Sequence, residues 1–593
     1  MRVDFSVHTG IPLFKRQNTF SVAECFDKDG RNPAFLKAVT DLKELRGENM
    51  RLAGLGEGSP GGSLAQGTPE SMKHDFSVWD EVMERLFRNG TQPYFCYFPM
   101  PRILRPDDGT WRSAPRDFQA WQQFCSDFAA HYAQKGWPLA AHEIWNEPDL
   151  YSQDGKKVFY DGTWEDFIRM YEYAVRGIRQ GDPQAKVGGL SIAFLKFFDH
   201  NCVRQFLGHV LEKQIPMDFV SYHNYDTERY IEETGMLNAI LNEYGDAFRE
   251  LELHLNEFHV RRDEEWQRGI TGSAHSACLA IEAIARLVEM PTVTSVNWAT
   301  WRDMGEGLSL VDNETGERSA LFHTIAVYND MPVDRVLFEG TDEVHGFASA
   351  DENAASVMLW NCADNAQQLE ISLNHLPFER VDVQVYAIDK YHSSILDGCE
   401  GDGLQMIDTL QDVSAADLVW RGQIEAWGIV YIKAVPAGRL AEKPPVWDIM
   451  DGKPVAGGVA KVVRKEYYFE DRNSTAFSEF DLGSFTAWAG MGDRESGLSR
   501  GAVVLADLPE KLRICPSMYG ALGEGTCTLC AEYRNEQGEI VSTEAWRTDG
   551  NKALVMDQEI ILMSPENFTG TLKLTWCIED AQKDATIKLK IMK

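Results

Sequence analysis

From residue 1 to about 335, short apolar runs of strand length alternate with segments whose apolar residues recur every three or four positions. The runs Val3–Val7, Asn49–Leu55, Gln92–Phe98, His142–Glu147, Lys186–Ile192, Phe219–Tyr225, Leu251–Phe258 and Val293–Trp301 predict strands. Between them, the spacing of Trp164, Phe167, Ile168, Tyr171, Val175 and Ile178 predicts an amphipathic helix, with Thr163 and Asp166 as its N-terminal cap. Phe118, Trp121, Phe124, Phe128 and Tyr132 form a second stripe, and Phe76, Trp79, Val82, Met83, Leu86 and Phe87 a third. These aromatics read as core.

Eight strands alternating with helices predict an α/β chain whose first part, residues 1–335, is a (β/α)8 TIM barrel with enlarged loops. An open doubly wound sheet fits the same alternation, but no G-x-G-x-x-G opens the first helix, so dinucleotide binding has no support. After residue 335 the period shortens. Runs such as Ala355–Trp360 and Val381–Ile388 are punctuated by Gly, Asp and Asn, which predicts a β-sandwich over 336–440. Pro436, Pro444 and Pro445 mark a linker, and a second β-rich, sandwich-like domain is expected over 441–593.

Charge narrows the partners. The 593 residues carry 58 Lys+Arg against 91 Asp+Glu, a formal charge of −33, which argues against nucleic acid and anionic lipid. No apolar run approaches the roughly 18 residues that span a bilayer, and Met1–Ser6 lacks a signal-peptide pattern, so a cytoplasmic protein is expected. Eleven cysteines spread thinly do not form a secreted disulfide framework. Cys527 and Cys530 form a C-x-x-C with Cys515 and Cys577 nearby in sequence. In strand-like sequence residues three apart face opposite ways, so strand packing rather than zinc binding is expected. No metal and no cofactor is called for.

In such a barrel, reactive side chains come from the C-terminal ends of strands. Trp145-Asn146-Glu147-Pro148-Asp149 ends the fourth strand, and Asn256-Glu257-Phe258 ends the seventh. A carboxylate where an apolar strand stops is costly unless it is paired or has a task. Two carboxylates facing across a cleft meet the need of glycosidic bond cleavage, one protonating the leaving oxygen while the other attacks carbon or activates water. Structural salt-bridge partners also occur at strand ends.

The Trp145–Asp149 segment resembles the retaining glycoside hydrolases of clan A, in which Asn-Glu-Pro ends strand four. The finer resemblance is to glycoside hydrolase family 39, the β-xylosidases and α-L-iduronidases. It is carried, in order, by Val7–Gly10 at the first strand, Gln92-Pro93 through Met100-Pro101, Trp145–Asp149, Val187–Gly189, Phe219–His223, Asn256–Phe258 and Trp298–Asp303. The resemblance implies that Glu147 is the acid/base, Glu257 the nucleophile, and Asn146 the partner of a sugar 2-hydroxyl. It further implies that Tyr225 bonds Glu257, that His223 orients Glu147, and that Arg51 lowers the pKa of Glu257. Trp301 is the expected sugar-stacking platform, because indole packs well on pyranose C–H faces. Trp298 suits core or cleft. Phe98, Tyr222, His259 and Trp266 are cleft candidates, and Asp303 and Glu306 could bind sugar hydroxyls. One departure stands out: Ala53 replaces the histidine of the family's Arg-x-His-Gly, which puts xylose itself in question.

The expected activity is therefore a retaining exo-glycosidase acting on a short oligosaccharide or glycoside, β-xylosidase-like, with the two carboxyls roughly 5–5.5 Å apart. β-Glucosidase, β-galactosidase and α-L-arabinofuranosidase specificities stay open, as does a non-catalytic carbohydrate-binding protein. The sandwiches are expected to brace the barrel or a homo-oligomer of it.

Overall fold

The computed structural model describes residues 1–13, 17–22, 45–55, 64–88, 90–152, 155–262, 270–300, 308, 310–311, 317–399, 401–416 and 418–438. Beyond 460 it describes 461–469, 477–481, 484–488, 499–506, 508, 511–519, 526–535, 539–549, 560–565, 568–579 and 586–592. The chain divides into two compact units. The first comprises Met1–Asn32, Asp41–Asn313 and Glu317–Arg439, and the second comprises Leu440–Lys593 with two short segments.

The first unit contains a closed barrel. Its strands in order are Gln17–Val22, Asn49–Ala53, Gln92–Tyr97, Ala141–Ile144, Val187–Ile192, Phe219–Asn224, Glu252–Phe258 and Val293–Ala299, each parallel to its neighbours. The helices form where the 3.6-residue stripes predict them. Phe118–Gln134 is capped by Asp117, and Trp164–Gly181 opens with a complete capping box between Thr163 and Asp166. These two helices lie unusually close because a Cβ at Gly177 or Gly181 would run into the carbonyl oxygens of Gln122 and Ser126.

One expectation is corrected. The run around Val3–Val7 is a strand, Arg2–His8, but it is not the first strand of the barrel. It lies between Val336–Glu339 (antiparallel) and Gln367–Asn374 (parallel) in a four-stranded sheet. Val3 and Phe5 are buried there with Val357, Leu359, Ile371 and Ile432, and the barrel begins at Gln17 instead. An apolar strand pairs wherever its buried side chains find a matching core, and sequence position does not say which core that is. The opposing five-stranded sheet runs Val344–Ala350, Ala355–Asn361, Gly428–Pro436, Arg380–Ile388 and Gln405–Ser414, so the sandwich is built from residues 336–436 plus the N-terminal strand.

The second unit contains two five-stranded antiparallel sheets and is sandwich-like. Cys527 and Cys530 lie three apart on the strand Thr526–Arg534. Cys577 sits opposite Thr528 on its neighbour, and Cys515 belongs to the other sheet.

Phe5→Ala should therefore destabilise the sandwich, by about 3 kcal/mol, as expected for a buried aromatic truncated to alanine. Urea unfolding followed by tryptophan fluorescence measures it; a loss below about 1 kcal/mol would contradict the N-terminal strand's place in that core.

Candidate active site

Arg51 lies in the middle of the second barrel strand, Asn49–Ala53, with a fully buried guanidinium. Such a charge is tolerable only when its five N–H donors meet acceptors, preferably anionic ones. Nε donates to Glu143 Oε2 at 2.6 Å and Nη1 to Glu257 Oε2 at 3.0 Å. Nη2 donates to Asn146 Oδ1 at 2.7 Å and to Ser191 Oγ at 3.3 Å. Burial works against the Arg51 charge, yet Glu143, Cys96 and Glu257 outweigh it and hold the group protonated.

Around this cation the strand ends converge. Glu143, from the fourth strand, is fully buried and also accepts from Ser221 Oγ at 2.5 Å and Asn256 Nδ2 at 2.6 Å. Burial pushes its carboxyl up, but Arg51, His223 and these hydrogen bonds pull it below its ordinary value. It is Arg51's permanent counterion. Glu257 accepts a second hydrogen bond, from Tyr225 O–H to Oε1 at 2.5 Å. His223 Nδ1 lies 2.7 Å from Glu147 Oε1 and 3.5 Å from Glu257 Oε2, and its Nε2 lies 2.9 Å from Ser191 Oγ. Burial lowers the His223 pKa, so the ring is neutral near pH 7.

The side chains of Glu147 and Glu257 retain 9% and 11% exposure, whereas those of Arg51, Glu143 and His223 have 0–1%. A solute can thus reach the two glutamates but not the Arg51, Glu143 and His223 side chains behind them. One oxygen from each, with a nitrogen of His223, falls within 4.8 Å of one another. This trio is also the one set among the described residues that could close around a metal ion. Arg51 already supplies positive charge to Glu257, however, and the His223–Glu147 hydrogen bond occupies the nitrogen an ion would need. The chemistry it favours is proton transfer between neighbouring carboxyls.

The backbone of this corner is strained. Trp145 and Glu147 adopt φ of 73° and 44°, the left-handed region. Each such residue costs about 1–3 kcal/mol and persists only where its surroundings over-determine it. Here Cys96 Sγ bonds the Trp145 carbonyl at 3.1 Å, the Trp145 indole bonds Phe159 O at 3.2 Å, and Glu147 N bonds Ser191 O at 3.0 Å. Asp149 completes the tie by accepting from Ala193 N and Phe194 N at 2.9 and 3.0 Å. The fourth and fifth strand ends are locked together with the Glu147 side chain between them.

Of the residues picked from sequence, Arg51, Asn146, Glu147, His223, Tyr225 and Glu257 meet in this one cluster. Phe98 is half-buried against Phe20, Ala53, Cys96 and Ala299 beside Tyr225, and edge-on to Trp145. Tyr222 is no cleft residue: strand alternation turns it outward, away from Ser221 and His223, to bond Thr234 on the helix Arg229–Asn242. His259 is fully buried against the edge of Trp298, and Trp298 is core, its indole donating to Gln17 Oε1 at 2.7 Å. Trp266, Trp301, Asp303 and Glu306 lie outside the described residues. Arg51 does pull the Glu257 pKa down, as expected, but the net shift is upward. Burial raises the Glu257 pKa and Glu147 adds to it, against the pull of His223, Arg51 and Tyr225.

Sequence reading missed Glu143, Ser191 and Ser221. Glu143 left a trace, an acid inside the four-residue parallel strand Ala141–Ile144 where every position is buried. The serines left none.

Residues 65–263 match the model of the family described as glycosyl hydrolases family 39. A β-xylosidase from Geobacillus stearothermophilus is 22% identical over 285 residues, 42% of this chain and 51% of the relative, so the chain spans about half of that protein's length. The crystal structure of a monomeric β-xylosidase from Caulobacter crescentus CB15 superposes with a TM-score of 0.60 at 17% identity, covering 73% of this chain and 99% of the other. The bacterial orthologue of human α-L-iduronidase matches with a TM-score of 0.61 at 12% identity, covering 98% of each chain. At these identities the structural matches establish the fold: a barrel with sandwich-like additions.

Removing the counterion tests the buried pair. Glu143→Gln keeps the shape but leaves Arg51 under-compensated, and should destabilise the fold by about 3 kcal/mol. Thermal and urea unfolding measure this; a change under about 1 kcal/mol would mean that Arg51 does not depend on Glu143.

Proposed function

We propose that this chain, a glycoside hydrolase of the family 39 type, is a retaining exo-glycosidase that releases the non-reducing-end sugar of short oligosaccharides, β-xylosidase-like in substrate. The observation that carries the reading is the pair of reachable carboxylates, Glu147 and Glu257, with oxygens within 4.8 Å across the ends of the fourth and seventh strands. Oxygens that approach this closely favour the narrower carboxyl pair of a retaining enzyme, about 5–5.5 Å, over the roughly 6.5–9.5 Å pair that admits water in an inverting one. The family match and the β-xylosidase relative support the substrate class.

In this mechanism Glu257 is the nucleophile. Both its oxygens accept hydrogen bonds, from Arg51 and Tyr225, and Arg51 can only donate, so the pair's shared proton belongs on Glu147. Glu257 attacks the anomeric carbon while Glu147 gives its proton to the departing oxygen. Once esterified, Glu257 no longer carries charge. Glu147, now ionised, takes a proton from water, which attacks the same carbon and restores the starting configuration. Asn146, whose amide oxygen is held by Arg51, has its NH2 as the end that can donate to a sugar hydroxyl. Ala53 supplies no polar contact at the end of the second strand, which leaves glucosides, galactosides and arabinofuranosides as the competing substrates in a panel.

The deciding experiment is an aryl-glycoside panel with product stereochemistry followed by NMR. On an aryl β-xyloside, Glu257→Ala should abolish turnover, and azide should restore it with an α-glycosyl azide as product. Glu147→Ala should lose roughly 10²–10⁴-fold on poor leaving groups, and its azide product should be β. Cleavage with inversion by the wild type would defeat the double-displacement reading, and inactivity on the whole panel would defeat the enzyme reading.

The pH profile gives a separate check. Glu257 must be ionised to attack, and its pKa is raised above the ordinary 4.5. Activity should therefore be lost, as pH falls, through an acid limb of kcat/KM lying above 4.5, a limb that belongs to the coupled pair. An acid limb below 4.5 would contradict it.

A further inference from the structure

We infer that Ser191 is a positioning residue for the acid, its hydroxyl selecting the tautomer of His223 and thereby the Glu147 oxygen that bears the transferable proton. The inference rests on the glycosidase reading of Glu147, and it follows from counting donors. Arg51 Nη2 can only donate, and it points at Ser191 Oγ from 3.3 Å. The one hydroxyl proton of Ser191 is then directed to its other close neighbour, His223 Nε2, at 2.9 Å. A neutral imidazole that accepts at Nε2 carries its proton on Nδ1. That N–H meets Glu147 Oε1 at 2.7 Å, with Glu257 Oε2 further off at 3.5 Å. With Oε1 accepting from the ring, the acid proton of Glu147 is assigned to Oε2.

The opposite tautomer would spoil the acid. With its proton on Nε2, His223 would turn a bare Nδ1 lone pair toward Glu147, and the carboxylic proton would be captured by the ring. With Arg51 and the Nε2–H both donating to it, the Ser191 hydroxyl would keep its own proton without the His223 acceptor, which disfavours that arrangement. Burial of His223, which keeps the ring neutral, makes the choice of tautomer meaningful.

The backbone is shaped to deliver this hydroxyl. Leu190 and Ser191 take successive positive φ values of 83° and 46°, a conformation that non-glycine residues rarely adopt. It is held by Ser191 N donating to Ser221 Oγ at 3.1 Å and by Ser191 O accepting from Glu147 N at 3.0 Å. Ser191 therefore fixes Glu147 twice, at its backbone directly and at its carboxyl through His223.

Two measurements test the assignment. In the first, wild type and Ser191→Ala are compared on 2,4-dinitrophenyl β-xyloside, whose leaving group needs no proton, and on methyl β-xyloside, whose leaving group does. Ser191→Ala should lower kcat/KM on the methyl substrate by roughly 10- to 100-fold more than on the dinitrophenyl substrate, part of the 10²–10⁴ that a general acid contributes. Equal loss on both, or loss on neither, would overturn the assignment. Inactivity of the wild type on the dinitrophenyl substrate would instead strike the β-xylosidase reading, and direct measurement of the His223 tautomer would then decide the assignment.

The second measurement needs neither turnover nor a folded Ser191 variant. Long-range 15N–1H correlation on 15N-histidine-labelled wild type at neutral pH, with His223 assigned by the signals missing from His223→Asn, should show a proton on Nδ1 alone. An Nε2-protonated or doubly protonated ring would overturn the assignment.

Discussion

A guanidinium with no solvent around it organises the site end of this barrel. Arg51 cannot give up its proton and cannot reach water, so the ends of the other strands must bring acceptors to it. Glu143 and Asn146 from the fourth strand and its end, Ser191 from the fifth and Glu257 from the seventh are held to one rigid fork. Glu143 neutralises the charge permanently, because its own hydrogen bonds from Ser221 and Asn256 keep it ionised. Glu257 then feels a cation already largely spoken for. That is why burial prevails and its pKa is raised, while its position remains fixed by Arg51 and Tyr225.

The same network explains how backbone strain survives. The left-handed residues Trp145 and Glu147 in one strand end face Leu190 and Ser191 in the next. They are joined by the Glu147 N to Ser191 O hydrogen bond and by Asp149 capping Ala193 and Phe194. Neither turn would hold alone. Together they set the reachable carboxyl of Glu147 against His223 and close to Glu257, a geometry in which two acids can share and exchange one proton.

Much of this was legible beforehand, for reasons that can be stated. Strand-end acids after apolar runs are conspicuous because charge there is expensive, and Glu147 and Glu257 announced themselves in that way. Resemblance then supplied Arg51, Asn146, His223 and Tyr225, four residues that hydrogen bonds tie to Glu147 and Glu257 or to each other. Glu143 is harder to read, because it lies inside the strand Ala141–Ile144 and its counterion, Arg51, comes from another strand. Ser191 and Ser221 were overlooked because a serine in a strand has no distinctive pattern; its meaning depends on which neighbours its single proton can reach. Tyr222 follows the two-residue alternation of its strand, which turns it outward while its neighbours Ser221 and His223 face in.

The periodicity of the chain by itself determined the alternation of strands and helices, the capping box at Thr163, the change to all-β architecture near residue 336 and the two strand ends carrying Glu147 and Glu257. Those are local properties, set by which face of each element is apolar. Tertiary structure decided the rest. It took the N-terminal strand Arg2–His8 out of the barrel and into the sandwich, because Val3 and Phe5 fit that core. It also buried Arg51 beside Glu143, and so decided the direction in which Glu257 titrates. Burial and charge pairing are sums over neighbours far apart in sequence, and no local pattern contains them.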